Sequence, residues 1–380
     1  MKIALVSCYF IDNYGSVLQS YATQQYFKSK GVTCHTVAVE KIRPLLKKAK
    51  LRYYLRNAWD CGLLRSKLPM VKLRILEKIG LHNIGIARKE RHNRFEAFRQ
   101  RLAYTQAASS FEALGRISQE YDGVVLGSDQ LWRPDNIFPG YYTLEWVSPK
   151  TKRLSLATSF GVSRLDRYSQ KRARDFLRRF SAISVREAEG AAIVQTATGQ
   201  TAAVVCDPVL LLEAEEWNAL ADTSLCPDRD YIFAYFLGNS KKHRAFVKDL
   251  SVRTGLPVVT VPFVDCYCKE DAKAAFCFPE AGPEQFLGLL RNAKYVCTDS
   301  FHASAFSVLF EKQFFVFDRF HTNRGNTNSR IHSFLRELEI EPGDTAIDYS
   351  TIDRRLVQLK RRTEQFIETE ILENIRGNDR

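Results

Sequence analysis

The residues with the most chemical potential stand in one short run late in the chain, Thr298-Asp299-Ser300-Phe301-His302. Together they supply a carboxylate, two hydroxyls and an imidazole, groups suited to binding a polar substrate and moving a proton. Tyr295, Val296 and Cys297 favour a strand, whereas Phe301, Ala305, Phe306, Leu309 and Phe310 recur at helical spacing, so strand gives way to helix near Asp299 and Ser300. In an open α/β sheet such a turn lies at the carboxyl end of a strand, where ligands bind, and the helix N-terminus offers free N–H groups to an anion. That helix end disfavours a charged His302, while Asp299 or a bound phosphate favours it, a balance fitted to proton transfer. Arg319, Arg324 and Arg330 follow from the next strand end and loop as candidates to hold an anion.

The elements that must position these groups alternate along almost the whole chain. Residues 2–8 read as strand, 17–29 as helix and 32–39 as strand, with Asn13 or Ser16 capping the helix and Gly15 permitting a tight turn or close approach to a ligand. Strands predicted at 121–126, 154–157, 182–185 and 202–205 end in Gly127-Ser128-Asp129, Thr158-Ser159, Arg186-Glu187 and Asp207. Each turn has an ordinary structural explanation, but their recurrence on one sheet edge marks a site. Asp129 is the candidate to hold a ligand or act catalytically, and Arg186 either meets substrate or pairs with Asp207. Residues 208–222 read as a crossing with Trp217 at the joint, after which strands at 231–238, 257–264 and 314–317 build a second sheet.

The fold class expected is therefore α/β, with two doubly wound Rossmann-like domains facing a cleft. An N-terminal domain spans 1–212, with a basic, helical insertion at 41–104; a C-terminal domain spans 213–352; and a final helix within 353–380 packs back across the joint. The length of 380 residues suits two cores better than one.

Charge is unevenly placed: the net +13 is concentrated in residues 41–104, which hold 18 Lys and Arg against 4 Asp and Glu. A fold-wide nucleic-acid surface is not implied, and the interleaved leucines, tyrosines and lysines of that segment suit an anionic membrane surface. The apolar opening lacks the layout of a secretory signal, and no run reaches the roughly 18 apolar residues of a membrane span. Nine scattered cysteines fit reduced thiols in a cytoplasmic protein, at most at the inner face of the membrane. Cys266-Tyr267-Cys268 with Cys277 has too tight a first gap for a usual zinc site, so no metal is expected.

The chain resembles the polysaccharide pyruvyl transferase family, whose members have an architecture similar to GT-B glycosyltransferases. The resemblance is carried by residues 13–22, Gly127-Ser128-Asp129-Gln130-Leu131-Trp132, Ser159-Phe160-Gly161, Ser184-Val185-Arg186-Glu187, Asp207-Pro208-Val209-Leu210-Leu211 and Thr298-Asp299-Ser300-Phe301-His302, with 41–104 outside it. It implies transfer of a pyruvyl group from phosphoenolpyruvate, as donor substrate and without a cofactor, to two hydroxyls of a lipid-linked or nucleotide-linked sugar. His302 matches the family's histidine, expected as general acid or base. Asp129 is expected at the sugar hydroxyls; Asn13, Gly15, Ser16, Ser128, Ser159, Asp299 and Ser300 at bound substrate; and Arg319 and Arg330 at the donor's anionic groups. Ser300 stands where family members carry an arginine. That departure keeps open a glycosyltransferase using a nucleotide sugar, or a non-catalytic glycan-assembly protein.

Overall fold

A computed structural model describes residues 1–56, 84–263, 268–319, 321–322, 325–326, 329–341 and 347–377. Strands β1 (Lys2–Val6), β2 (Thr33–Thr36), β3 (Gly123–Leu126) and β4 (Lys152–Ser155) pair in parallel in the order β2-β1-β3-β4. The short strands β5 (Ser184–Val185) and β6 (Ala203–Val204) extend this sheet through parallel bridges from Leu154 to Ala182 and from Thr158 to Val185. The second sheet is also parallel, β11-β10-β7-β8-β9, from β7 (Ile232–Tyr235), β8 (Val258–Thr260), β9 (Phe276–Cys277), β10 (Tyr295–Thr298) and β11 (Gln313–Val316). Every residue of β3 and β7 is buried, as parallel strands covered by helices on both faces require.

Strand order fixes where a ligand can sit. From β1 the chain runs outward to β2 and then returns to the other side as β3; from β7 it runs out to β9 and returns as β10. The crevices at the carboxyl ends of β1/β3 and of β10/β7 are the two topological switch points, where an open parallel sheet leaves room between diverging connections.

The halves are locked together by buried aromatic rings. Helix Tyr14–Ser29 begins where Asn13 Oδ1 accepts the Ser16 N–H at 3.2 Å. Its Tyr14 stacks on Phe286 with centroids 4.3 Å apart and donates its hydroxyl to the Ala281 carbonyl at 2.6 Å. Trp217, fully buried as its place between the sheets suggested, meets Tyr21 on one side and Phe306 edge-on on the other. Helix Tyr349–Phe366 returns to the first half, where the Cys206 N–H donates to Thr363 Oγ1 at 2.9 Å.

Within 41–104 the described helices are Arg43–Arg56 and Ile84–Arg99, but the second is a strut rather than a surface appendage. Phe95 and Phe98 are fully buried, and Arg91 is 1% exposed. The Arg91 guanidinium lies 4.7 Å over the Tyr14 ring and donates to Pro262 O and Asp12 O, reaching both halves. Arg99 donates to the Tyr9 carbonyl and pairs with Asp12 at 2.7 Å. Much of the basic character of this helix therefore serves packing and backbone satisfaction.

Replacing Tyr14 by Phe leaves the Ala281 carbonyl buried without its donor and is expected to cost about 1–3 kcal/mol. A denaturant midpoint unchanged from that of the parent protein would show that the contact does not join the halves.

Candidate functional site

A cavity of about 260 Å³ opens where the two switch points face each other. Cys8, Asn13, Ser16, Asp129 and Gln130 line it from the first half, and Leu237, Ser300, His302, Arg319 and Arg330 from the second. A larger hollow of about 710 Å³ beside helix Lys241–Thr254 contains neither Asp129 nor His302.

The turn after β3 is the first wall. Asp129 adopts φ +84°, a left-handed conformation that Asp tolerates better than most residues, and its carbonyl accepts the Ser159 and Leu131 N–H groups. Its carboxylate accepts from Ser16 Oγ at 2.7 Å, from the Gln130 N–H at 2.8 Å and from Cys8 Sγ at 3.4 Å. Burial opposes the Asp129 charge, but charge interactions with His302, Arg186 and Arg330 and the Ser16 hydrogen bond outweigh it and hold the carboxyl at about 2. Such a group stays ionised and is a weak base; it is built to hold a hydroxyl or a positive charge.

The opposite wall is the turn after β10. Ser300 caps helix Phe301–Leu309, its Oγ accepting the Ala303 N–H, so the helix N-terminus faces the cavity. Asp299 is fully buried and accepts the N–H groups of Leu237 and Gly238 at 2.7 and 2.9 Å, tying together the ends of β10 and β7. His302 places Nε2 3.4 Å from Asp207 Oδ2, within ion-pair reach and looser than a good hydrogen bond. The other ring nitrogen, Nδ1, packs against Gly15, where a Cβ would stand only 1.9 Å from it. Gly15 thus serves close approach to His302, not a left-handed turn.

Asp207 is the residue the sequence reading did not connect with His302. It is completely buried after β6 and accepts from Ser128 Oγ at 2.6 Å and from Arg186 Nη1. Burial works against its charge, yet His302, Arg186 and Ser128 together hold it well below the usual carboxylate range. Of the two readings of Arg186, the pair with Asp207 is the one observed, and its guanidinium also lies 4.1 Å over the Phe301 ring.

Arginines crowd the site. Arg330 is buried and drops to about 9, from burial first and then from the neighbouring Arg186 and Arg319 cations. Its Nε makes no hydrogen bond among the described residues. Arg319 donates to the Asp299 carbonyl at 2.8 Å and lines the cavity. Arg324 lies outside the described residues. Toward the mouth, Lys50 from helix Arg43–Arg56 pairs with Asp135 at 3.0 Å and donates to Asn136 at 2.7 Å, and Arg133 reaches the same carboxylate. Lys50, Arg133, Asp135 and Asn136 were not singled out from sequence, because the elements carrying them have no chemical motif of their own.

Asp129, Asn13, Ser16, Ser300, His302, Arg319 and Arg330 thus come together on the cavity, with Gly15 directly behind His302. Ser128, Ser159 and Asp299 are fully buried behind it: Ser128 holds Asp207, Ser159 donates to Glu187 Oε1 at 2.8 Å, and Asp299 holds the backbone. Among the described residues no cluster of His, Cys, Asp and Glu has a metal-holding arrangement. Cys266 lies outside them.

The sequence profile of the polysaccharide pyruvyl transferase family matches residues 13–321. The chain belongs to that family and is a transferase. The match runs across residues 41–104, which the motif comparison had left outside the resemblance. A search of curated proteins finds no match. Among solved structures, the chain is similar to the UDP-GlcNAc 2-epimerase of Neisseria meningitidis bound to UDP-GlcNAc, at 10% identity over 99% of this chain and 95% of that one, TM-score 0.47. It is likewise similar to S. aureus MnaA in its UDP co-structure (11%, 96% and 90%, TM-score 0.49) and to a glycosyltransferase from Rickettsia africae (12%, 99% and 96%, TM-score 0.46).

A depressed carboxyl stabilises the fold above its unfolded value near 3.9 and ceases to do so as pH falls through its folded value. Asp129 is accordingly expected to contribute about 2 kcal/mol that is lost between about pH 5 and 2. Urea titrations over that range should show a shallower acid loss in Asp129→Asn than in the parent. Equal slopes would show that the surrounding cations do not favour the ionised form.

Proposed function

We propose that this pyruvyl transferase family member moves a pyruvyl group from phosphoenolpyruvate to two hydroxyls of a sugar in a cell-surface glycan intermediate, forming a cyclic ketal. The observation that carries this reading is the convergence of Arg319, Arg330 and the N-terminus of helix Phe301–Leu309 beside His302 in one cavity. Crowded arginines, one with an unsatisfied nitrogen, are stabilised by an anion bearing several charges. Arg319 and Arg330 fill the electrostatic role left by Ser300, and hold the donor's phosphate and carboxylate.

The reaction requires one proton at the donor's methylene carbon, which leaves the adjacent carbon electrophilic. A sugar hydroxyl attacks there and gives up its proton. The carbon–oxygen bond to phosphate breaks, phosphate departs, and the second hydroxyl closes the ketal. Of the two hydroxyl protons released, one balances the methyl group formed and the other leaves on phosphate. His302, whose Nε2 lies beside Asp207, is the group that moves the proton. Asp129, a weak base, accepts a hydrogen bond from an acceptor hydroxyl and fixes its angle of attack.

With phosphoenolpyruvate and candidate acceptors, phosphate release and ketal formation should appear together. His302→Ala is expected to reduce turnover by roughly 10²- to 10⁴-fold. Gly15→Ala should reduce it comparably while leaving His302 in the chain, because the new methyl group displaces the ring. Undiminished turnover in His302→Ala would overturn the proton-transfer role. Thermal stabilisation by nucleoside diphosphates with none by phosphoenolpyruvate would turn the assignment toward sugar transfer.

A further inference from the structure

Helix Arg43–Arg56 has two faces with different tasks. Its inner face is fastened to the cavity: Lys50 lines the mouth, Tyr54 donates to Asp135 at 2.8 Å, and Tyr53 is buried with its ring 5.6 Å from that of Phe138. At 100° per residue the outer face has Pro44, Leu51 and Leu55 along its middle, Lys47 on one flank, and Lys48 and Arg52 on the other. All six are exposed, Leu51 by 58% and Leu55 by 66%; Leu45, 46% exposed, continues the apolar surface beyond Arg52. The helix contains no Asp or Glu. Leucines flanked by long cationic side chains, without one acidic residue, complement a surface that is apolar within and negatively charged at its rim.

We propose that this outer face docks on an anionic lipid bilayer, placing the cavity mouth where a membrane-borne acceptor sugar is presented. The contact rests on the helix alone; only the nature of the acceptor depends on the reading given under Proposed function. Lys50 couples the two faces, so the docked helix presents the membrane and the polar mouth in a fixed relation. A soluble nucleotide-linked acceptor has no need of the exposed leucines. A second copy of the chain is a poor fit, since two such helices bring like charges together.

The full-length protein should co-sediment with phosphatidylcholine vesicles containing phosphatidylglycerol and not with phosphatidylcholine alone, and added salt should release it. The variant Lys47→Gln/Lys48→Gln/Arg52→Gln is expected to bind roughly 100-fold more weakly. Leu51→Ser/Leu55→Ser should lose binding while retaining the parent's thermal stability and its turnover of a soluble acceptor. Absence of vesicle binding by the parent, equal binding to neutral vesicles, or unchanged binding by both variants overturns the proposal. So does a leucine-dependent dimer in place of vesicle binding. Vesicle binding and thermal stability are read without phosphoenolpyruvate turnover, so failure of the lipid contact and failure of the transferase reading are separable.

Discussion

A buried carboxylate that must be neutralised holds this site together. Asp207 is fully buried, and a lone charge in that position costs several kcal/mol. Its compensation comes from two directions: Arg186 and Ser128 from its own half, and His302 from the other. The pairing therefore does more than stabilise a charge. It selects the relative placement of the two sheets in which His302 meets Asp207, which is also the placement in which Asp129, Arg319 and Arg330 share one cavity. Gly15 makes that approach possible, since any side chain there collides with the imidazole.

The rest of the interface reinforces this placement with apolar area and hydrogen-bonded cations. Tyr14, Phe286, Trp217 and Phe306 supply stacked and edge-on rings, whose preferred geometries resist sliding. Arg91 adds a buried guanidinium spent on carbonyls of both halves. The two switch points are thus fixed opposite each other by contacts that lie outside the cavity.

Strand ends were legible in the sequence because their polar residues interrupt apolar runs, and the elements of both sheets follow the expected alternation, apart from the two-residue strand Phe276–Cys277, too short to show a period. The cavity lining was legible where it coincided with those ends, at Asp129 and His302. The carbonyl partners of Arg91 and Arg99, on Pro262, Asp12 and Tyr9, were not, because a carbonyl leaves no mark in residue type. Basic composition therefore read as surface when part of it is interior. Asp207 was visible as a strand end, but its approach to His302 depends on how two sheets meet, which local spacing does not encode.

The arrangement also gives the two conspicuous acidic and basic groups different surroundings. A carboxyl held at about 2 has surrendered most of its proton affinity to its cationic neighbours, so Asp129 is poorly matched to removing a proton from a hydroxyl. The same neighbours make it a strong, fixed acceptor. His302 stands beside a different carboxylate, Asp207, which it shares with Arg186. Removing Arg186 would leave Asp207 buried with only Ser128 and His302 beside it. Arg186 thereby joins the two walls from behind: it pairs with Asp207, stands 3.9 Å from Asp129 Oδ1, and lies over the Phe301 ring of the opposite wall.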